Sequence, residues 1–129
     1  KNPVGYVATA ENNIPHVRAM GTYQADENGI IFSMQSDKDV YKQLVNNPAT
    51  EICYYADQIM VRVKGQMEPI TDLEIKKQIV EKRPSYKPGV EKNGWDYVGA
   101  FEVKNAKAAV LDMKKPPSPS SAGKTWIDL

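Results

Sequence analysis

Residues 29–56 read GIIFSMQSDKDVYKQLVNNPATEICYYA. GIIFSM (29–34) is a β-branched and aromatic run of strand length. The next segment, QSDKDVYKQLVNNP (35–48), opens on small polar residues and closes on Asn47-Pro48, as a short helix does. Val40 and Leu44, with Tyr41 and Val45 beside them, form its apolar stripe, and Ser36 or Asp37 is the expected N-cap. TEICYYA (50–56) then returns to strand. Lys38 and Lys42 stand four apart and share one face of the helix. A helix start exposes unpaired N–H groups and a partial positive charge, which suits phosphate. From spacing alone, a solvated face with Lys42 paired to Asp39 stands ahead of an anion site.

Working outward, strand and turn signals dominate. VGYVATA (4–10) is a strand, ENNIP (11–15) is turn chemistry, and HVRAMGTYQA (16–25) is a second strand. DENG (26–29) is a hairpin turn leading into GIIFSM. Downstream, IMVRVKGQMEPI (59–70) is a long strand joined to TEICYYA across Asp57-Gln58, and Gly65 marks a bulge or a close backbone approach. Leu73, Ile75, Ile79 and Val80 repeat at helical spacing, with Thr71 and Glu74 at capping-box positions and Arg83-Pro84 as the stop. SYKPGVEKNGW (85–95) reads as an irregular loop. DYVGAFEVK (96–104) and AKAAVLDM (106–113) read as a strand pair across Asn105. The tail 114–129 is Pro/Ser-rich and irregular, but ends on Trp126, Ile127 and Leu129, as a docked end would. Six or seven strands linked by short turns favour a small antiparallel β-barrel with peripheral helices over a βαβ sheet.

A chain of 129 residues makes one domain, 1–129. Seventeen basic residues nearly cancel sixteen acidic ones, so no net field recruits nucleic acid or an acidic membrane. No apolar run reaches a membrane span, and no leader is legible. The single cysteine, Cys53, excludes an internal disulfide and suits a reducing cytoplasm. With one histidine as well, a His/Cys zinc site within one chain is not expected.

Individual residues offer chemistry with a plainer reading beside each. Arg18 lies between Val17 and Ala19 in a strand, where it can reach a phosphate or a flat ring or simply face water. Arg62 repeats that pattern. His16 follows Pro15 at a turn without a sequence-adjacent carboxylate partner, and an exposed turn histidine is the plainer reading. Cys53 reads as a small strand residue rather than a nucleophile. Trp95 and Trp126 could cover a ring or an interface. No Gly-rich phosphate loop, Ser-His-Asp set or metal motif is present in the sequence.

Taken together, GYVATAENNIPHVRAMG, GIIFSMQSDKDVYKQLVNNPATEICYY and MVRVKGQMEPI resemble, in order and spacing, the pyridoxamine 5'-phosphate oxidase-like, FMN-binding split-barrel family. The likeness runs from about residue 3 to 82, more loosely through FEVKNAKAAVLDM. It is nearest to the small bacterial general-stress and nitroimidazole-resistance-like members. The resemblance implies a mainly β fold, a six-stranded antiparallel split β-barrel of Greek-key type with two or more peripheral helices. It also implies a homodimer with FMN at each subunit interface. By position, Arg18 and the backbone of Ala19, Met20 and Gly21 would flank the flavin. Ser33, Met34 and Gln35 would edge it, and Ser36, Lys38 and Lys42 would hold its phosphate. Met34 stands where many relatives carry Thr or Ser, and Met60 where the oxidases carry Gln. No C-terminal Arg/His arrangement for pyridoxal phosphate is found. The expectation is therefore an FMN-dependent oxidoreductase acting on an unidentified small substrate. A non-catalytic flavin binder or redox sensor, or a haem-binding split barrel with His16 as ligand, are the alternatives.

Overall fold

The computed structural model describes residues 3–116 and 126–129. Among these residues, seven strands and three α-helices follow in the order β1 (Val4–Glu11), β2 (Ile14–Asp26), β3 (Gly29–Gln35), α1 (Asp39–Asn46), β4 (Ala49–Ala56), β5 (Ile59–Pro69), α2 (Leu73–Lys82), α3 (Lys87–Asn93), β6 (Val98–Asp112) and β7 (Ile127–Asp128). The sheet order is β3-β2-β1-β4-β5-β6-β7, and β3 also pairs with β6. That last pairing closes six antiparallel strands into a barrel and leaves β7 as an added strand on β6. Closure removes the open edges a sheet of this size would otherwise present.

Local chemistry sets the corners. The β1–β2 hairpin turns on Asn12 and Asn13, at φ 52° and 64°, and the β4–β5 hairpin on Asp57 and Gln58, at 54° and 61°. Two successive positive-φ residues match the twist of paired strands, and Asn and Asp tolerate that region best. At Gly65 the β5–β6 register shifts. A Cβ there would lie 2.6 Å from the Lys104 carbonyl oxygen, so only glycine fits the bend. Both expectations for Gly65, bulge and close approach, hold.

Inside the barrel, alternate strand positions supply Val7, Phe32, Met34, Ile52, Val63, Met67, Phe101 and Val103. Phe32 and Phe101 face each other across the closing β3–β6 pair, and both are fully buried. Helix α1 seals one end by inserting Val40 and Leu44 into this core. A second cluster lies on the outer face of β3 and β6. There Ile79 and Val80 of α2 meet Tyr86, Val98 and Ala100, with Tyr23, Val90 and Trp95 around them.

Four details differ from expectation. The N-cap of α1 is Lys38, not Ser36 or Asp37, and no side chain caps the helix. Asp72 rather than Thr71 caps α2, accepting a hydrogen bond from the Glu74 N–H at 2.9 Å. The stretch read as a loop is helical: a 3₁₀ turn at Pro84–Tyr86 runs into α3. Pro88 sits in the first turn of α3, and Gly94, at φ 83°, ends it. These are the helix positions that Pro and Gly favour, so two apparent breakers mark boundaries. The expected pair 96–104 and 106–113 is one strand, β6. Asn105 takes φ 53° opposite the Gly65 bulge and bends the strand without reversing it. In the tail, β7 docks on β6 through Lys107↔Asp128 and Ala108↔Ile127. Trp126 lies over Lys64 and Arg62, 4.1 and 5.6 Å from ammonium and guanidinium to ring centre. The irregular structure expected for 117–125 falls outside the described residues.

Candidate functional site

The strand β3 ends at Gln35, and a turn carries the chain into α1. The turn is pinned by the Ser36 N–H donating to the Tyr97 carbonyl at 2.9 Å and the Lys38 N–H to the Gln35 carbonyl at 3.1 Å. Because no side chain caps α1, its first N–H groups stay available to a ligand. Among the described residues, neither Lys38 nor Lys42 has an ion-pair partner, and the Asp39–Lys42 pair allowed by spacing does not form. Two lysines and an open helix start therefore share one corner of the molecule.

Beside this corner lies an open cleft of about 440 Å³, lined by Met34, Gln35, Lys38, Arg83, Ser85 and Tyr86. Its floor is a hydrogen-bonded set. Arg83 Nη1 donates to Ser33 Oγ at 2.8 Å, and Ser33 Oγ and the Tyr86 hydroxyl are 3.1 Å apart. Arg83 Nη2 reaches the Gly21 carbonyl at 3.5 Å, and the guanidinium carbon lies 5.8 Å from the Tyr23 ring centre. A Cβ at Gly21 would stand 3.5 Å from Nη2, an ordinary van der Waals contact, so the two residues are close without the position requiring glycine.

The structure thus brings Gly21, Ser33, Met34, Gln35 and Lys38 together around Arg83. Ser36 and Lys42 lie in the adjoining turn and helix. Ala19 lies on the exposed outer face of β2, and Met20 packs against the barrel core. Arg18 also points inward, beneath α1. Its Nη1 donates to Thr9 Oγ1 at 2.9 Å and to the Val7 carbonyl at 3.2 Å, and its Nη2 to Gln43 Oε1 at 2.6 Å. Burial lowers the pKa of this guanidinium, with the Asp39 carboxylate acting in the opposite sense. His16 lies 4.0 Å from Glu11 Oε1 at the β1–β2 hairpin and does not line the cleft.

Arg83, Ser85 and Tyr86 are absent from the sequence-based set. The Arg-Pro dipeptide is legible only as a helix stop. Its second role depends on α2 folding back over β3, which no local signal encodes.

The outer face of β1 and β2 is apolar and open, and over β4 it meets Cys53 and the ion-paired Glu51. Register places Tyr6 beside Ala19 and Cys53, Val4 beside Gly21, and Ala8 beside Val17. Val17 is 70% exposed and Tyr6 50%. Gly21 belongs both to this face and to the Arg83 set.

Among the described residues, no helix is long and apolar enough to cross a membrane. Nor do three or more His, Cys, Asp or Glu side chains gather there as metal ligands.

The family model described as pyridoxamine 5'-phosphate oxidase matches residues 1–110. No curated protein matches the chain. Among solved structures, a NimC/NimA family protein from Clostridium acetobutylicum is similar at 21% identity and TM-score 0.75, over 98% of this chain and 84% of that one. General Stress Protein 26 from Bacillus anthracis is similar at 12% identity and TM-score 0.68, over 100% and 91%. PhzG from Burkholderia lata, solved with tetrahydrophenazine-1-carboxylic acid, is similar at 9% identity and TM-score 0.65, over 99% and 82%. At these identities the likeness is one of fold.

Proposed function

The chain belongs to the pyridoxamine 5'-phosphate oxidase family, and from that premise we propose that it is an FMN-binding flavoprotein, acting as an oxidoreductase on a small substrate. The observation that carries this reading is the corner at the start of α1, where two lysines without ion-pair partners among the described residues and an uncapped helix start adjoin the Arg83 cleft. The fit is chemical. A phosphate dianion needs positive charge and free N–H donors, and both are present. A flavin ring needs an apolar wall with polar edges, and Met34 beside Gln35 and Tyr86 provides them.

Lys38 and Lys42 would hold the phosphate, with Ser36 beside them. Gln35 and the Gly21 backbone would edge the ring system, and Arg83 would supply positive charge near it. FMN, when bound, would supply the electron-transfer chemistry. The chain's part is to bind and orient it, and to keep Arg83 fixed through Ser33 and Gly21. Among the described residues the cleft is lined by Met34, Gln35, Lys38, Arg83, Ser85 and Tyr86, without a carboxylate or imidazole, and a flavin held without turnover is the second reading.

The protein would act as a homodimer, with the apolar face around Tyr6, Val17 and Ala19 covered by a second copy. Arg83, which lines the cleft, reaches the Gly21 carbonyl beside that face, so a flavin in the cleft would lie near the subunit boundary.

The test is the visible spectrum of the purified protein with added FMN, followed by steady-state NADH and NADPH oxidation. Flavin bands with turnover above free FMN support the oxidoreductase. Bands without turnover support the second reading. No FMN binding at micromolar concentration overturns both.

A further inference from the structure

β6 changes partners along its length. It pairs with β3 from Gln35↔Val98 to Ile31↔Glu102, and with β7 at Lys107 and Ala108. Beside the stretch between those pairings, and against the tip of the β2–β3 hairpin, lies a pocket of about 540 Å³. Its apolar lining is Ile30, Val103, Ala106 and Leu129. Val103 belongs to the inner core, and Ile30 and Ala106 pack against it, so the floor of the pocket is the barrel core itself. Leu129 is exposed yet held in place. Its N–H donates to the Ala106 carbonyl at 3.0 Å, and next to it Asp128 Oδ1 lies 3.3 Å from Lys107 Nζ. The volume falls in the range of about 300–1,000 Å³ that small-molecule sites occupy.

The rim is acidic. Asp26, Glu27 and Glu102 line it, against one cation, Lys104, which lies 3.2 Å from Glu102. Asp26 is oriented by a neutral donor, the Asn28 N–H at 2.8 Å, so its charge is not cancelled there. Gly29, at φ 128°, brings the hairpin backbone against the Glu102 carboxylate, where a Cβ would stand 2.7 Å from Oε2. Glu27 is exposed and has no ion-pair partner among the described residues. The Arg83 cleft has the reverse character: among the described residues its lining carries Lys38 and Arg83 and no carboxylate, and none of them lines the pocket. A ligand with one sign of charge is attracted to one of these sites and repelled by the other.

We propose that this pocket is a second binding site, for a small organic cation with an apolar body. The hydrocarbon part of such an amine would cover Ile30, Val103, Ala106 and Leu129, and its ammonium would meet Glu27 and Glu102. Burial on a floor backed by the core supplies the affinity, and the charge-assisted hydrogen bonds at the rim select the sign. The inference is independent of the FMN reading.

The experiment titrates the full chain with phenylbutylamine and phenylbutyrate, which share an apolar body and carry opposite charges, and follows binding by calorimetry. Wild type is expected to bind the amine with a dissociation constant of about 1 mM or lower, and the carboxylate at least about tenfold more weakly. Glu27→Gln/Glu102→Gln is expected to bring the two affinities within about twofold of each other. Ala106→Leu, which fills the floor, is expected to weaken the amine at least about tenfold. Should Ala106→Leu fail to fold, the charge variant decides alone. Added FMN is expected to leave the amine bound. A wild type that binds both probes equally, or neither at about 10 mM, overturns the proposal. So does a preference for the amine that survives Glu27→Gln/Glu102→Gln, or an amine displaced by FMN, which would put it in the Arg83 cleft.

Discussion

The two apolar clusters are built by different means. The inner one comes from alternate residues of strands plus the α1 stripe, so Val7, Phe32, Ile52, Val63 and Phe101 point to one axis. The outer one comes from segments distant in sequence. Ile79 and Val80 of α2, Tyr86 of the 3₁₀ turn and Val98 and Ala100 of β6 meet only because α2 and α3 fold back over the barrel wall. β3 and β6 serve both clusters. Phe32 and Phe101 face inward while Ser33 and Ala100, opposite each other in register, face outward. The candidate cleft lies along this shared wall. Barrel stability and site geometry therefore depend on different residues, and they can be separated by substitution.

The largest expected effect is on the inner cluster. Phe101→Ala removes a fully buried ring that packs against Tyr41, at 5.5 Å between ring centres, and faces Phe32 across the barrel closure. It is expected to cost about 3–5 kcal/mol in chemical denaturation. A loss under about 1 kcal/mol would mean that the closure does not rely on this core.

Ile79→Ala is next, at about 2–5 kcal/mol, because Ile79 is also fully buried. Here the comparison sharpens. Ile79 holds α2, and so Arg83, in place, so FMN affinity at temperatures where the variant stays folded is expected to fall. If affinity holds while stability drops, the outer layer does not position the site.

Arg83→Met should separate binding from folding more cleanly. It removes a side chain reaching Ser33 and Gly21 and lining the cleft. FMN affinity measured by fluorescence titration is expected to fall about tenfold, or 1.4 kcal/mol, with the melting temperature shifted by only a few degrees. The smallest effect is expected of Tyr86→Phe, which removes one hydroxyl from the Ser33–Arg83 set while keeping the ring. About 1 kcal/mol of stability should be lost in denaturant titration. A change indistinguishable from zero would assign Ser33 to Arg83 alone.

This division also explains what could be read from the sequence. The inner barrel was legible because strand alternation is a local signal and turn pairs such as Asn12-Asn13 and Asp57-Gln58 carry their own φ preference. The α1 corner was legible as a helix following a strand, and Lys38 could be placed there by its number alone. The outer layer was not. Pro88 and Gly94 look like breakers unless the helix between them is already known, and Asn105 looks like a turn unless the Gly65 bulge opposite is known. Arg83 gains its role from tertiary folding. For Arg18, alternation could not decide between water and a ligand. The structure places its guanidinium under α1, against Gln43, a contact 25 residues apart in sequence.

The most direct test of the phosphate corner is FMN binding by the wild-type chain and by Lys38→Ala/Lys42→Ala. Both lysines are exposed and without ion-pair partners among the described residues, so the double variant should keep its stability. The expected result is an FMN dissociation constant raised at least tenfold with the melting temperature unchanged, equivalent to about 1.4 kcal/mol or more of lost binding. FMN bound equally tightly by both proteins would contradict the assignment of the phosphate to the start of α1.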